Sequence, residues 1–196
     1  MSPEIFATEL TERIRAFVAV RIPAGVIAQL ISVQAQLKHE FHDVTWTRPE
    51  AMHLTLQFLG NVRASELPQL SKVLAATAKV HRSFKLGLVD AGSFGNRVLW
   101  VGAGQGATEL KSLAEAVRAA AGPFAEHQEE REFNAHVTLG RFRERGCGVD
   151  AVLSKMTLAA FTPWHVEGLE LIRSELSPKG SRYSTLIEWP LNGAAT

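Results

Sequence analysis

The sequence predicts an α+β fold of two pseudo-symmetric lobes, a duplicated βαβαβ-like unit. Three observations predict it. Strand-like alternation and helix-like spacing succeed one another along the whole chain. One ungapped shift superimposes the second half on the first. The 196 residues, 46% hydrophobic and 21% charged, have the composition of an ordinary globular protein, long enough to bury a core without disulfides or a structural metal.

The first strand is Arg15 to Val20, after which Pro23 opens a helix with Ile27, Leu30, Val33 and Leu37 on one face. After a loop, Met52 to Leu59 alternates as a strand. Ser65 is placed to cap a second helix carrying Leu67, Leu70, Val73 and Leu74, and Phe84, Leu86 and Leu88 mark the third strand. The order then repeats. Arg97 to Val101 is a strand, Leu110, Leu113, Ala114 and Val117 form a helical stripe, and Gly122-Pro123 ends it. Phe133 to Phe142 is a strand, about Asp150 to Thr157 a short helix, and His165 to Glu175 a strand. The turn Ser177 to Ser181 leads into a last strand, Arg182 to Trp189.

The repeat register is a shift of 83 positions, which carries His53 onto His136, Thr55 onto Thr138, Leu30 onto Leu113, Leu70 onto Leu153, Lys72 onto Lys155, and Leu86 and Leu88 onto Leu169 and Leu171. Leucine is common and some matches are free, but one register serves every element. The expected lobes are about 15–92 and 97–190, within one two-lobed domain over 1–192, followed by a loose tail at 193–196.

Net charge is +1, so nothing draws the whole surface to duplex nucleic acid or an anionic membrane, and nucleic-acid contact is expected to be local. The single cysteine, Cys147 between two glycines, can make no internal disulfide and no zinc cage, which fits a reducing cytosol. No apolar run approaches a membrane span, and the acidic opening residues do not resemble a signal peptide. A cytoplasmic monomer without an obligatory protein partner is expected.

The shift superimposes two tetrads, His53-Leu-Thr-Leu56 and His136-Val-Thr-Leu139. Background frequencies give about 0.05 such tetrads in a chain of this kind, so a pair in repeat register is a signal where a single copy would be a surface histidine. On a strand each imidazole stands beside its threonine hydroxyl while the apolar residues turn to the core. In-line attack at a phosphodiester needs a base on the entering oxygen and an acid on the leaving one, on opposite sides of phosphorus. Two imidazoles facing across a cleft supply this, and Thr55 and Thr138 can donate to the non-bridging oxygens. Arg141 can complete the clamp only if its strand bends or bulges at Gly140 or ends there. Its repeat mate is Phe58, which either packs in the core or stacks a nucleobase.

The paired motifs, Arg15-Ala-Phe-Val-Ala-Val20, Trp46, Pro49-Glu50, Phe58-Leu-Gly60, Leu99-Trp-Val-Gly102 and Arg141 resemble the two-histidine phosphoesterase superfamily. Within it the chain looks most like the bacterial and archaeal RNA 2′,3′-cyclic phosphodiesterases, long called 2′-5′ RNA ligases, over about Arg15 to Trp189. It departs from their pattern at Ala135 and Gly95, where proline is frequent. The resemblance implies mostly antiparallel sheets flanking a central cleft, with the helices outside. It implies metal- and cofactor-independent hydrolysis of an RNA or nucleoside 2′,3′-cyclic phosphate to a 2′-phosphomonoester. His53 would be the proton donor, His136 the proton acceptor, and Thr55, Thr138 and Arg141 the phosphate ligands; from the repeat alone the two histidines are equivalent. End ligation by the same site, or nucleotide binding without catalysis, are the alternatives.

Three weaker signals compete. Gly102-Ala-Gly-Gln-Gly-Ala107 fits a dinucleotide fingerprint, but the charged stretch 126–132 stands where a buried parallel strand should follow. A metal held by His53 and His136 lacks a third ligand, since threonine fills each i+2 position. Arg143, Arg145, Lys179 and Arg182 either steer RNA or lie in exposed loops, with Tyr183 a candidate wall for a base.

Overall fold

The computed structural model describes residues 12–129, 131–176 and 181–194. Ten strands and four helices follow in the order β1 (Arg13–Val20), α1 (Ala24–Glu40), β2 (Val44–Trp46), β3 (Leu54–Arg63), α2 (Leu67–Val80), β4 (Phe84–Leu86), β5 (Leu88–Phe94), β6 (Val98–Ala103), α3 (Ala107–Ala121), β7 (His136–Phe142), α4 (Val149–Leu153), β8 (Trp164–Val166), β9 (Gly168–Glu175) and β10 (Arg182–Pro190).

Eight strands form one sheet in the order β10-β9-β1-β3-β7-β6-β5, with β2 added on β7, and β4 and β8 form a separate ribbon. Every strand pair is antiparallel. The α+β class and the antiparallel sheet are as expected, and the two halves of the sheet join through a single residue pair, Leu54 opposite Val137. These two are repeat mates, so the pseudo-two-fold axis passes between them.

Alternation decides which face does what. Ala16, Val18 and Val20 of β1 turn into the main core with Leu30 and Leu37 of α1, Leu70 and Leu74 of α2, and Leu110 and Leu113 of α3. Phe17 and Ala19 turn to the opposite face, with Ile172 and Tyr183 beside them. The helices therefore cover one face and leave the other to a cleft.

The lobes are not the contiguous stretches 15–92 and 97–190. The repeat mates β5 and β9 cross over: β5 pairs with β6 of the second repeat, and β9 with β1 of the first. The reason is local. Gly95 and Asn96 both have positive φ, +55° and +54°, and Arg97 N–H donates to Phe94 O at 2.9 Å, the two-residue turn that matches the twist of a hairpin. That turn sets β5 against β6.

Smaller departures have equally local causes. Ser65 makes no cap; it lies in a 3-10 turn, Ala64–Glu66, ahead of a helix with proline in its first turn. The strand expected from Phe133 starts at His136, and β2 is an addition to the expected elements. Gly193 is anchored, its carbonyl accepting from Ser83 Oγ at 3.0 Å, so the tail does not begin there. Residues 177–180, including Lys179, and 195–196 lie outside the described residues.

Candidate functional site

Both tetrads sit at the centre of the sheet, His53 just ahead of β3 and His136 opening β7. His53, Thr55, His136 and Thr138 are partly buried on the cleft face, while Leu54, Leu56, Val137 and Leu139 are buried beneath them. In the pairing of β3 with β1, Val18 faces Gln57 and Ala19 faces Thr55, which leaves Leu56 as an extra residue. In the pairing of β7 with β6, Leu99 faces Gly140 and Trp100 faces Thr138, which leaves Leu139 extra. Leu56 and Leu139 are repeat mates, so the two motifs end in twin β-bulges.

The bulges decide where the next residues point. Alternation alone would bury Phe58 and Arg141; after one inserted residue both turn to the cleft, and Phe58 is 58% exposed. The bend needed for Arg141 is thus present, one residue before Gly140. Gly140 serves a different purpose. A Cβ there would lie 2.6 Å from Val44 Cγ1 and 3.1 Å from the Trp46 ring, so glycine lets β2 approach β7.

A cavity of about 500 Å³ on this face is lined by Thr55, Phe58, His136 and Arg141, with Arg118 and Arg131 at its side. His53 opens instead on a separate cavity of about 240 Å³, with Tyr183, Arg21 and Glu170. Thr138 lines neither; it stands on the His136 face of β7, opposite Trp100 of β6. The Tyr183 ring packs edge-on against both His53 and Phe17, at 5.2 Å each, and so walls the imidazole.

Each histidine has an aromatic seat. His53 stacks on Phe17 at 4.5 Å, and His136 meets the edges of Phe94 at 4.8 Å and Trp100 at 6.4 Å. Phe17 and Trp100 are repeat mates that sequence reasoning missed, although the shift of 83 connects them. Trp100 fits because Gly92 lies under it, where a Cβ would come within 2.2 Å of the ring.

The electrostatics follow from this burial. His53 is pushed down to about 4, chiefly by burial, with its hydrogen bond to the Ala51 backbone opposing the shift and the charge of His136 adding to it. His136 is also lowered, by burial first, then by the Arg141 guanidinium, against the bond to Asn134. Its Nδ1 donates to Asn134 O at 2.8 Å, because a carbonyl can only accept. That fixes the tautomer and leaves Nε2 as the free nitrogen. Ala51 and Asn134 are again repeat mates.

The competing signals resolve structurally. Gly104 packs on Val89, and Gly106, at φ +77°, brings the chain against Lys85 O as α3 begins; the glycines serve this crossing. The described part of 126–132 forms no strand. Arg143 pairs with Asp43 at 3.7 Å and Arg145 donates to Gly95 O at 3.3 Å, both away from the cavity. Among the described residues no three His, Cys, Asp or Glu side chains converge, and no helix is long and apolar enough to cross a membrane.

Twin histidine motifs on a bulged, pseudo-symmetric antiparallel sheet make this a two-histidine phosphoesterase. Residues 32–178 match the sequence profile of the 2′-5′ RNA ligase superfamily, and the chain belongs to that family. It is 31% identical to an RNA 2′,3′-cyclic phosphodiesterase of Thermus thermophilus, over 91% of each chain. A crystal structure of a Thermus thermophilus protein superimposes with a TM-score of 0.77 at 30% identity, covering 92% of this chain and 100% of that one. Escherichia coli LigT complexed with 3′-AMP superimposes with a TM-score of 0.74 at 27% identity, covering 92% of this chain and 99% of that one.

Proposed function

We propose that this protein hydrolyses the 2′,3′-cyclic phosphate of an RNA or nucleoside end to a 2′-phosphomonoester, as a cytoplasmic monomer. The observation that carries the reading is the pair of buried imidazoles related by the pseudo-two-fold, with Nε2 of His136 left free by the Nδ1 bond to Asn134. His136, neutral, takes a proton from water as the water oxygen bonds to phosphorus. The phosphorus–O3′ bond breaks, and His53, protonated, gives its proton to the departing O3′. Thr55, Thr138 and Arg141 hold the non-bridging oxygens, and exposed Phe58 offers a face for the base.

Protonated His53 is in tension with its value of about 4, at which it is neutral near pH 7. The phosphate anion resolves the tension, because an opposite charge within a few ångströms favours the imidazolium. The substrate thus charges its own acid. Incubation with an oligoribonucleotide ending in a 2′,3′-cyclic phosphate tests the reading: a 2′-phosphate end is expected, and an intact ring or a 3′-phosphate product refutes it.

A further inference from the structure

A cavity of about 350 Å³ beside the reaction site plays no part in the mechanism above. It lies over β1, β9 and the start of β10, and its walls include Arg15, Phe17, Phe58, Ser174, Ser181 and Tyr183. Phe58 lines both this cavity and the 500 Å³ one, so it forms a ridge between them. Phe17 and Tyr183 are the rings that hold His53.

Stereochemistry says what should lie there. If O3′ departs toward His53, C3′ is on the His53 side of phosphorus. C3′ carries C4′ and C5′, through which an RNA chain continues upstream, whereas the base hangs from C1′ beyond C2′. The upstream chain therefore leaves over the half of the sheet that carries His53. That half is β10-β9-β1-β3, on which this cavity opens.

Charge supports the same assignment. Arg15 is exposed and has no ion-pair partner among the described residues. Two acids share the wall: Glu129 is paired with Arg131 at 3.0 Å, and Glu126 keeps its charge at the Gly60–Asn61 edge, where it accepts from Asn61 N at 3.1 Å and from its side chain. The repeat mate of Arg15 is Val98, so the charge belongs to the His53 half alone. A cavity of this size suits one nucleotide.

We infer that this cavity is the subsite for the nucleotide immediately upstream of the cyclic phosphate, with Arg15 pairing the connecting phosphodiester and Phe58 and Tyr183 flanking its base. The inference rests on the proposed hydrolysis and on the roles given to the two histidines. It makes the enzyme a reader of RNA ends rather than of free cyclic nucleotides.

The test compares a 2′,3′-cyclic mononucleotide with a dinucleotide ending in the same cyclic nucleotide, for the wild type and for Arg15→Ala, an exposed position. The wild type should favour the dinucleotide in kcat/KM by about 10-fold or more, the range of a charge-assisted contact to phosphate. Arg15→Ala should abolish most of that preference and leave mononucleotide hydrolysis within about twofold, and the salt dependence of dinucleotide binding should fall by about one phosphate contact. Equal use of the two substrates by the wild type, or an equal loss on both in the variant, overturns the subsite and leaves the hydrolase intact. Cleavage of neither substrate overturns the hydrolase itself, and the subsite with it.

Discussion

Burial of His53 makes the fold sensitive to acid, and the size of the effect follows from the structure. The imidazole lies on Phe17 and against Tyr183, and its pKa falls from 6.5 to about 4. Between those two values the unfolded chain binds a proton at this position that the native state refuses. Stability rises with pH wherever the unfolded state binds more protons, so it must fall as pH drops from about 6.5 to about 4. Between pH 7.5 and 4.5 this single group should cost about 2 to 3 kcal/mol, and the cost levels off below the folded value. Urea unfolding followed by tryptophan fluorescence at these pH values, for the wild type and for His53→Gln, isolates the contribution, since the glutamine does not titrate. The wild type should lose about 2 to 3 kcal/mol more than the variant over this range. A loss of equal steepness in both proteins refutes the claim that burial depresses His53, and with it the idea that substrate charges the acid. A phosphate-bearing ligand supplies the second arm: binding of a 2′-nucleotide near pH 5.5 should take up protons, measured as a buffer-dependent heat.

The same shifts shape the rate profile. The bell in kcat/KM should centre below 6.5, since both free histidines are lowered, while the bell in kcat moves up because the bound phosphate favours imidazolium; identical profiles for both parameters would contradict this. Alanine at His53 or His136 should cost about 100-fold or more in kcat, and EDTA should leave the wild type unchanged, both read by release of 2′-phosphate ends. Arg141→Ala should raise KM and also move the limb belonging to His136 upward, because removal of the guanidinium relieves part of the pressure on that imidazole. Gly92→Ala should lower stability by about 1 to 3 kcal/mol in thermal unfolding, since the new methyl meets the Trp100 ring at 2.2 Å and the seat of His136 must shift.

What can be read from the sequence, and what cannot, divides along one physical line. A repeat register is a statement about equivalence, and equivalence is legible: the shift of 83 finds both tetrads, the central strands that carry them and even the pair Leu54–Val137 on the symmetry axis. Where strands go after the repeat ends does not follow from equivalence, because β5 is placed by a hairpin with β6 and β9 lies on β1, each outside its own repeat. The signal is present in Gly95-Asn96, two residues fit for positive φ between apolar runs, and only the pairing of β5 with β6 shows that it is a hairpin turn. The twin bulges at Leu56 and Leu139 are hidden for another reason. An inserted residue leaves no mark on composition, only on which side chains later fall on which face, and a buried Gln57 beside an exposed Phe58 shows it once burial is known.

Direction is the harder matter, since a two-fold site has none. Nothing in His-x-Thr-Leu says which imidazole gives the proton and which takes it. The chain supplies the answer in the residues that break the repeat: Phe58 against Arg141, Arg15 against Val98, and Ala51 against Asn134. The first of these changes the surroundings of one histidine and not of the other, whereas Ala51 and Asn134 offer the same backbone bond to each. Arg141 lowers the pKa of His136 and keeps it neutral, as a base must be. On the other half, burial lowers His53 first and the charge of His136 adds to it. An arriving phosphate therefore acts on His53 without a neighbouring guanidinium sharing its charge, as Arg141 does beside His136. Exchanging the pair, by Phe58→Arg with Arg141→Phe, should then weaken the base and hinder the acid together, so that kcat falls by more than the product of the two single losses. Simple additivity would mean that the asymmetry of the surroundings does not set the direction of proton transfer.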